Sequence, residues 1–176
     1  DHFLGYKTKP EPLEIVVDDI ADDGFFFLRI AQFFAEGKGF SFDGYTETYG
    51  FQPFWQMLCI GLRACVGDDP RLLLQAALVL CALLHVATGY VLARVAEALG
   101  RGLVPLVVLL LWSANPSLFL WSLGLKENAL YAALFALALL RFRGILLGRG
   151  RGAGEDGALA LRSSVFFGAL LGLMVL

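Results

Sequence analysis

The chain has 176 residues, of which 58% are apolar and only 17% charged, with a formal net charge of −2 and a mean hydropathy of +0.70. That apolar share is well above what an ordinary soluble domain carries and points to a membrane protein. With no Lys/Arg cluster interleaved by aromatics, the electrostatic footprint of a nucleic-acid partner is missing, and that class is excluded.

Charge is distributed unevenly along the chain. Residues 1–70 hold 12 of the 16 acidic residues but 5 of the 14 basic ones, which gives a polar, acidic front and an apolar, basic rear. The chain opens on Asp1 and stops at Leu176 inside the apolar run GALLGLMVL, as expected of a portion of a longer protein.

The first periodic segment is residues 22–36, which read as one helix ended by Gly37 and Gly39. At 100° per residue Asp22, Arg29, Gln32 and Glu36 share a narrow polar stripe, while Phe27, Ile30, Ala31 and Phe34 cover the other side. Such a helix lies in the membrane interface rather than across it. Asp22 stands in its first turn, where free amides and the helix dipole favour an ionised carboxylate; an Asp there is equally an ordinary cap. Residues 37–55 follow with Gly37, Gly39, Gly44 and Gly50 and an Asp43-Gly44 turn signal, and read as an ordered loop. Residues 51–67 are apolar but short and carry Arg63, which suits a juxtamembrane helix.

Residues 72–92 contain no Asp, Glu, Lys or Arg and are long enough, at about 1.5 Å per residue, to cross a hydrocarbon core of roughly 30 Å. His85 inside this segment is expected to make a helix-to-helix hydrogen bond. A second span covers residues 103–121, with Asn115-Pro116 predicting a kink or break, because proline removes a donor and disfavours helix in the residue before it. A third helix, over residues 125–141 with its regular part at 128–140, follows the polar patch Lys126-Glu127. Arg141, Arg143, Arg149 and Arg151 then fall in a Gly-rich loop, before a fourth apolar segment at residues 163–176. Arg94 and Arg101 flank the connection between the first two spans. By the positive-inside rule both Arg-bearing connections are cytoplasmic, so residues 1–70 and the 121–127 connection face the other side of an inner or plasma membrane. The expected architecture is therefore an all-α membrane protein, with residues 1–70 forming an extracytoplasmic acidic loop with amphipathic juxtamembrane helices and residues 71–176 the transmembrane helices. Cys59, Cys65 and Cys81 lie among apolar neighbours without a CxxC spacing and read as buried thiols, neither a zinc site nor a disulfide framework.

The ordered set DDGFFFLRIA (22–31), GKGFSFDG (37–44), TYGFQPFW (48–55), Asn115-Pro116 and GLKENALY (124–131) resembles the first extracytoplasmic loop and a later loop motif of GT-C membrane glycosyltransferases. The bacterial and archaeal protein O-mannosyltransferase and aminoarabinose transferase groups are the most similar. The sequence departs from many members at Tyr49 and Gln52, where they carry Asn and His. The resemblance implies sugar transfer from a polyprenyl-linked donor to an acceptor on the non-cytoplasmic face with inversion, Asp22 or Asp23 serving as base. It further implies Arg29, Gln52, Lys126 and Glu127 as substrate-binding positions, membrane lipid and other membrane subunits as partners, and no required cofactor, metal dependence being left open. The competing expectation is a non-catalytic integral membrane subunit with a glycosyltransferase-like fold.

Overall fold

The computed structural model describes residues 22–100, 102–148, 168 and 172. Among these residues the chain is all-helical: α1 (Asp22–Ala35), α2 (Pro53–Val66), α3 (Pro70–Ala96), α4 (Leu103–Ser113), α5 (Pro116–Ser122) and α6 (Asn128–Gly148). No strand forms among them; the nearest approach is a single antiparallel bridge between Ser41 and Glu47.

α3 is the central element. Asp69 starts it, its Oδ1 accepting from the backbone N–H groups of Arg71 (2.8 Å) and Leu72 (3.3 Å), and Pro70 occupies the first helical position, where a missing N–H costs nothing. Leu73, Ala77, Cys81, His85, Thr88, Gly89 and Ala96 are the buried positions. From Leu73 to His85 they recur every four residues, and Thr88 and Gly89 lie three and four beyond His85, which is one helical stripe. α1 and α2 pack against each other and α2 against α3, while α4, α5 and α6 pack on α3 further along. One continuous apolar core joins Phe27, Ala31, Trp55, Cys59, Leu73, Ala77, Cys81, Leu125, Ala129 and Leu134. The core therefore runs without a break across residue 70.

Of the described helices, α3 alone is long and apolar enough to cross a membrane; α4 and α5 together make a second such length, bent by 63°. The bend falls where Asn115-Pro116 predicts it. Proline cannot donate to the helix before it, and Asn115 restarts the chain by accepting from Leu118 N–H at 3.1 Å. α4 buries no residue and presents Leu103, Leu106, Leu110 and Leu111 outward.

Two expectations are corrected. The third hydrophobic helix does not end near residue 141: α6 runs to Gly148, so Arg141 and Arg143 belong to the helix and not to a Gly-rich loop. The reason is tertiary. Arg143 donates to the Arg94 carbonyl and lies 3.9 Å from Glu97, so partners on and just after α3 satisfy a charge that the sequence assigned to solvent. Cys65 is exposed, unlike Cys59 and Cys81. Arg101, Arg149 and Arg151 lie outside the described residues, and of the segment 163–176 only Gly168 and Gly172 are described.

Candidate functional site

α1 buries Phe27, Leu28, Ile30, Ala31 and Phe33 and leaves the polar stripe outside. On it Arg29 donates from Nη1 to Gln32 Oε1 at 3.2 Å, with its guanidinium 4.1 Å from the centre of the Phe33 ring. Lys38 approaches the same ring at 4.6 Å and pairs with Glu36 at 2.6 Å. The Phe33 ring is thus flanked by two cations, each attracted by its π-face. The chain turns back over it at Gly44, whose φ of +83° suits glycine and where an added Cβ would stand 3.1 Å from the ring.

The loop after α1 is fixed by Asp43. Its Oδ1 accepts from the backbone N–H of Thr46 (2.7 Å) and Tyr45 (2.8 Å) and from the Ser41 hydroxyl (3.0 Å). Thr46 and Tyr45 amides, then the Ser41 hydroxyl, hold the Asp43 carboxyl far below the usual carboxylate range, because each donor stabilises only the ionised form. Aromatic pairs fasten the loop to the helices: Phe26 with Phe42 at 5.2 Å, Phe34 with Phe40 at 4.9 Å and Phe40 with Phe51 at 5.1 Å. Tyr45, at 96% exposure, and Tyr49 project outward, and Tyr49 donates to Glu47.

Two adjacent side chains at the start of α2 connect distant parts of the sequence. Gln56 Nε2 donates to the Phe27 carbonyl on α1 at 3.0 Å, and Trp55 Nε1 donates to the Leu125 carbonyl at 3.1 Å. Trp55, Gln56 and Leu125 are all fully buried, so each bond is protected from exchange with water. Leu125 is the only non-glycine at positive φ (+57°) among the described residues. A left-handed leucine costs of order 1–2 kcal/mol and persists only where its surroundings impose it. Lys126 and Glu127, directly after it, are half-buried, and the Glu127 carboxylate lies within electrostatic range of the Tyr131 hydroxyl.

The expected site residues divide accordingly. The helix of Asp22 and Asp23 and the turn of Lys126 and Glu127 are brought onto one side chain pair; the side chains of Asp22 and Asp23 themselves lie outside what the structure describes. Arg29 joins Gln32 on α1. Gln52 caps α2 by backbone conformation only, without a side-chain cap bond, and the amide that does cross between elements is Gln56, one turn later. Its signal in the sequence is a lone amide inside the apolar run 53–62. Among the described residues no group of three His, Cys, Asp or Glu side chains could hold a metal ion. Burial pushes the Cys59 thiol up to about 12, which leaves it protonated and a poor nucleophile.

A second polar cluster lies where the broken helix meets α3. His85 Nδ1 is 2.9 Å from Ser122 Oγ, and Ser122 Oγ donates to the Leu118 carbonyl at 2.8 Å. The hydroxyl has one proton and gives it to Leu118, so Nδ1 carries the imidazole proton and Nε2 the lone pair. The ring stacks on Trp112 at 5.0 Å and meets the Phe119 edge at 5.6 Å. The helix-to-helix bond expected of His85 is present, with Ser122 its partner.

No family model, curated protein or solved structure matches the chain.

Proposed function

We propose that this chain is an integral membrane glycosyltransferase, or the portion of one that carries its acidic loop. In this reading it moves a sugar from a polyprenyl-phosphate-type lipid donor to an acceptor hydroxyl or amide on the non-cytoplasmic face. The observation that supports the reading most is the Trp55–Gln56 pair. Three motif segments of the resemblance, around residues 22–31, 48–55 and 124–131, meet through two buried side-chain-to-backbone bonds that span 29 and 70 positions.

The chemistry assigned to the site is a displacement with inversion. The acceptor oxygen attacks the anomeric carbon as its proton passes to the carboxylate of Asp22 or Asp23. The bond from that carbon to the phosphate oxygen breaks, and the electron pair leaves with the phosphate. Negative charge developing on the phosphate calls for cationic groups, the role given to Arg29 and Lys126. Glu127 helps to orient the acceptor. Membrane insertion is supported by α3 and by the length of the α4–α5 pair. The assumed orientation is supported by a clustering of charge: Arg94, Glu97 and Arg143 meet at one end of the bundle, remote in sequence from the acidic segments.

The test uses the full-length protein in membranes with a radiolabelled polyprenyl-phosphate sugar. Asp22→Asn and Asp23→Asn keep size and capping ability, so thermal stability should hold while transfer by the variant lacking the base falls about 10²- to 10⁴-fold. Unchanged transfer in both variants would return the carboxylates to capping. The non-catalytic subunit reading rests on the outward apolar face of α4, and it gains if wild-type protein transfers no sugar from any lipid donor.

A further inference from the structure

Leu125 sits in a conformation that leucine does not choose for itself, and what keeps it there is visible. Its side chain is fully buried in the core. Its carbonyl receives the Trp55 indole N–H, and Cys81 of α3 lies in the same core. Its side chain and its carbonyl are therefore both fixed. The residue so fixed directly precedes Lys126 and Glu127, and the Glu127 carbonyl accepts the Tyr131 N–H at 2.9 Å to open α6. A change of φ at Leu125 would swing both charged side chains, because a backbone rotation at one residue redirects everything attached immediately beyond it.

We propose that Trp55 is a positioning residue: its indole N–H holds the Leu125 turn in the left-handed form and so sets where Lys126 and Glu127 stand. This inference rests on the glycosyl-transfer reading for its functional consequence, though not for its geometry. Trp55 touches no reacting atom in this assignment and acts only through the Leu125 carbonyl. Gln56, its neighbour, serves the other side of the pair, since it reaches α1 at Phe27 and makes no bond to the turn.

The decisive variant is Trp55→Phe, which keeps an aromatic ring in the core and removes the one donor that Leu125 uses. Gln56→Met is the control, because it cuts the bond to Phe27 while leaving Leu125 its partner. Two measurements are made on the full chain in detergent micelles. The first is the rate of acetylation at Lys126 by an amine reagent, resolved by mass spectrometry with Lys38 as internal reference. Trp55→Phe should change the Lys126 rate severalfold and leave Lys38 as it was, and Gln56→Met should change neither. The second is transfer kinetics: Trp55→Phe should lower kcat about 10- to 100-fold, the scale of a small misplacement of reacting groups, with little change in KM for the donor. In a background carrying both Lys126→Met and Glu127→Gln the same substitution should add almost nothing, because both groups it positions have lost their charge. Wild-type values for both the Lys126 rate and kcat in Trp55→Phe would overturn the proposal. Additive losses in that combined variant would do so as well, since they describe a residue that merely supports the fold. If wild-type protein transfers no sugar yet the Lys126 rate moves in Trp55→Phe, the glycosyl-transfer reading falls and the positioning of the turn by Trp55 stands.

Discussion

Trp55 and Trp112 make the same bond in two regions packed on α3. Trp55 donates to the Leu125 carbonyl at 3.1 Å and Trp112 to the His85 carbonyl at 3.0 Å. Around Trp55 every participant is fully buried, and the accepting carbonyl belongs to an irregular turn that has no helical partner for it. Around Trp112 the accepting carbonyl is part of α3, and the indole, carried by the outward-facing α4, is half-buried. The difference teaches that an identical hydrogen bond can determine a backbone conformation in one place and only dock a helix in the other. What decides is whether the acceptor has another way to be satisfied.

Tryptophan substitutions should separate the two regions cleanly. Trp55→Ala removes a buried ring and orphans the Leu125 carbonyl, so it should cost about 3–5 kcal/mol, read as a loss of thermal stability in detergent. Gly89→Ala attacks the other region. Its Cβ would lie 2.8 Å from Trp112 Cδ1 and 3.2 Å from Leu109 Cδ1, and an indole ring cannot flex away as a long aliphatic chain can. About 1–3 kcal/mol should be lost through overpacking, with broken contact between α4 and α3 visible as faster amide exchange in α4 alone. Should Gly89→Ala instead loosen α1, the two regions are not independent. Trp121, 58% exposed, supplies the baseline: Trp121→Ala should change stability by no more than about 0.5 kcal/mol.

Much of this contrast could be read in the sequence, and the unread parts share a cause. Asn115-Pro116 announced the bend because the chemistry of proline is local, and His85 announced a partner because an imidazole in an apolar helix must find one. Nothing local announced Leu125, since its positive φ is imposed by Trp55, seventy positions earlier, and by the core. The end of α6 was misplaced for the same reason, Arg143 being satisfied by Arg94 and Glu97 across the bundle. Gln56 carries no local signal beyond an amide in an apolar run, and only burial against α1 shows that it bridges to the Phe27 carbonyl. The carboxylates of Asp22 and Asp23 were legible only as a pair at a helix start, which capping and catalysis share.

Smaller effects sharpen the comparison at the loop and the thiols. Cys65 should react with a maleimide within minutes, while Cys59 and Cys81, buried in the region of Trp55, should react only after unfolding; the order of labelling is read by intact mass. With Cys65 replaced by Ser, an impermeant thiol reagent should label Tyr45→Cys in intact cells if residues 1–70 face outward. Failure to label there, with labelling at Gly150→Cys, would reverse the orientation. The Asp43 turn should respond least of all. A carboxyl whose folded value is depressed contributes stability above its unfolded value, near 3.9, and loses it as pH falls through the folded value. The amide resonances of Tyr45 and Thr46 should therefore stay constant from pH 7 to about pH 4 and shift only in strong acid, whereas Asp43→Ala should displace them at every pH.

The site of Leu125 along α3 bears on how a bilayer would meet this chain. At about 1.5 Å per residue, Cys81, which shares the core with Leu125, stands roughly 22 Å from the Ala96 end of α3, and α4 with its 63° elbow climbs about the same height beside it. A hydrocarbon layer measures roughly 30 Å. Set upright with Arg94 and Arg143 at one headgroup level, the bundle would therefore leave Lys126 and Glu127 several ångströms short of the opposite headgroups. α3 continues past Cys81 to Pro70, about 16 Å more at 1.5 Å per residue, so the charged turn would stand below the headgroups with α3 rising beside it. A lipid phosphate would have to descend along that helix to meet Lys126 and Glu127.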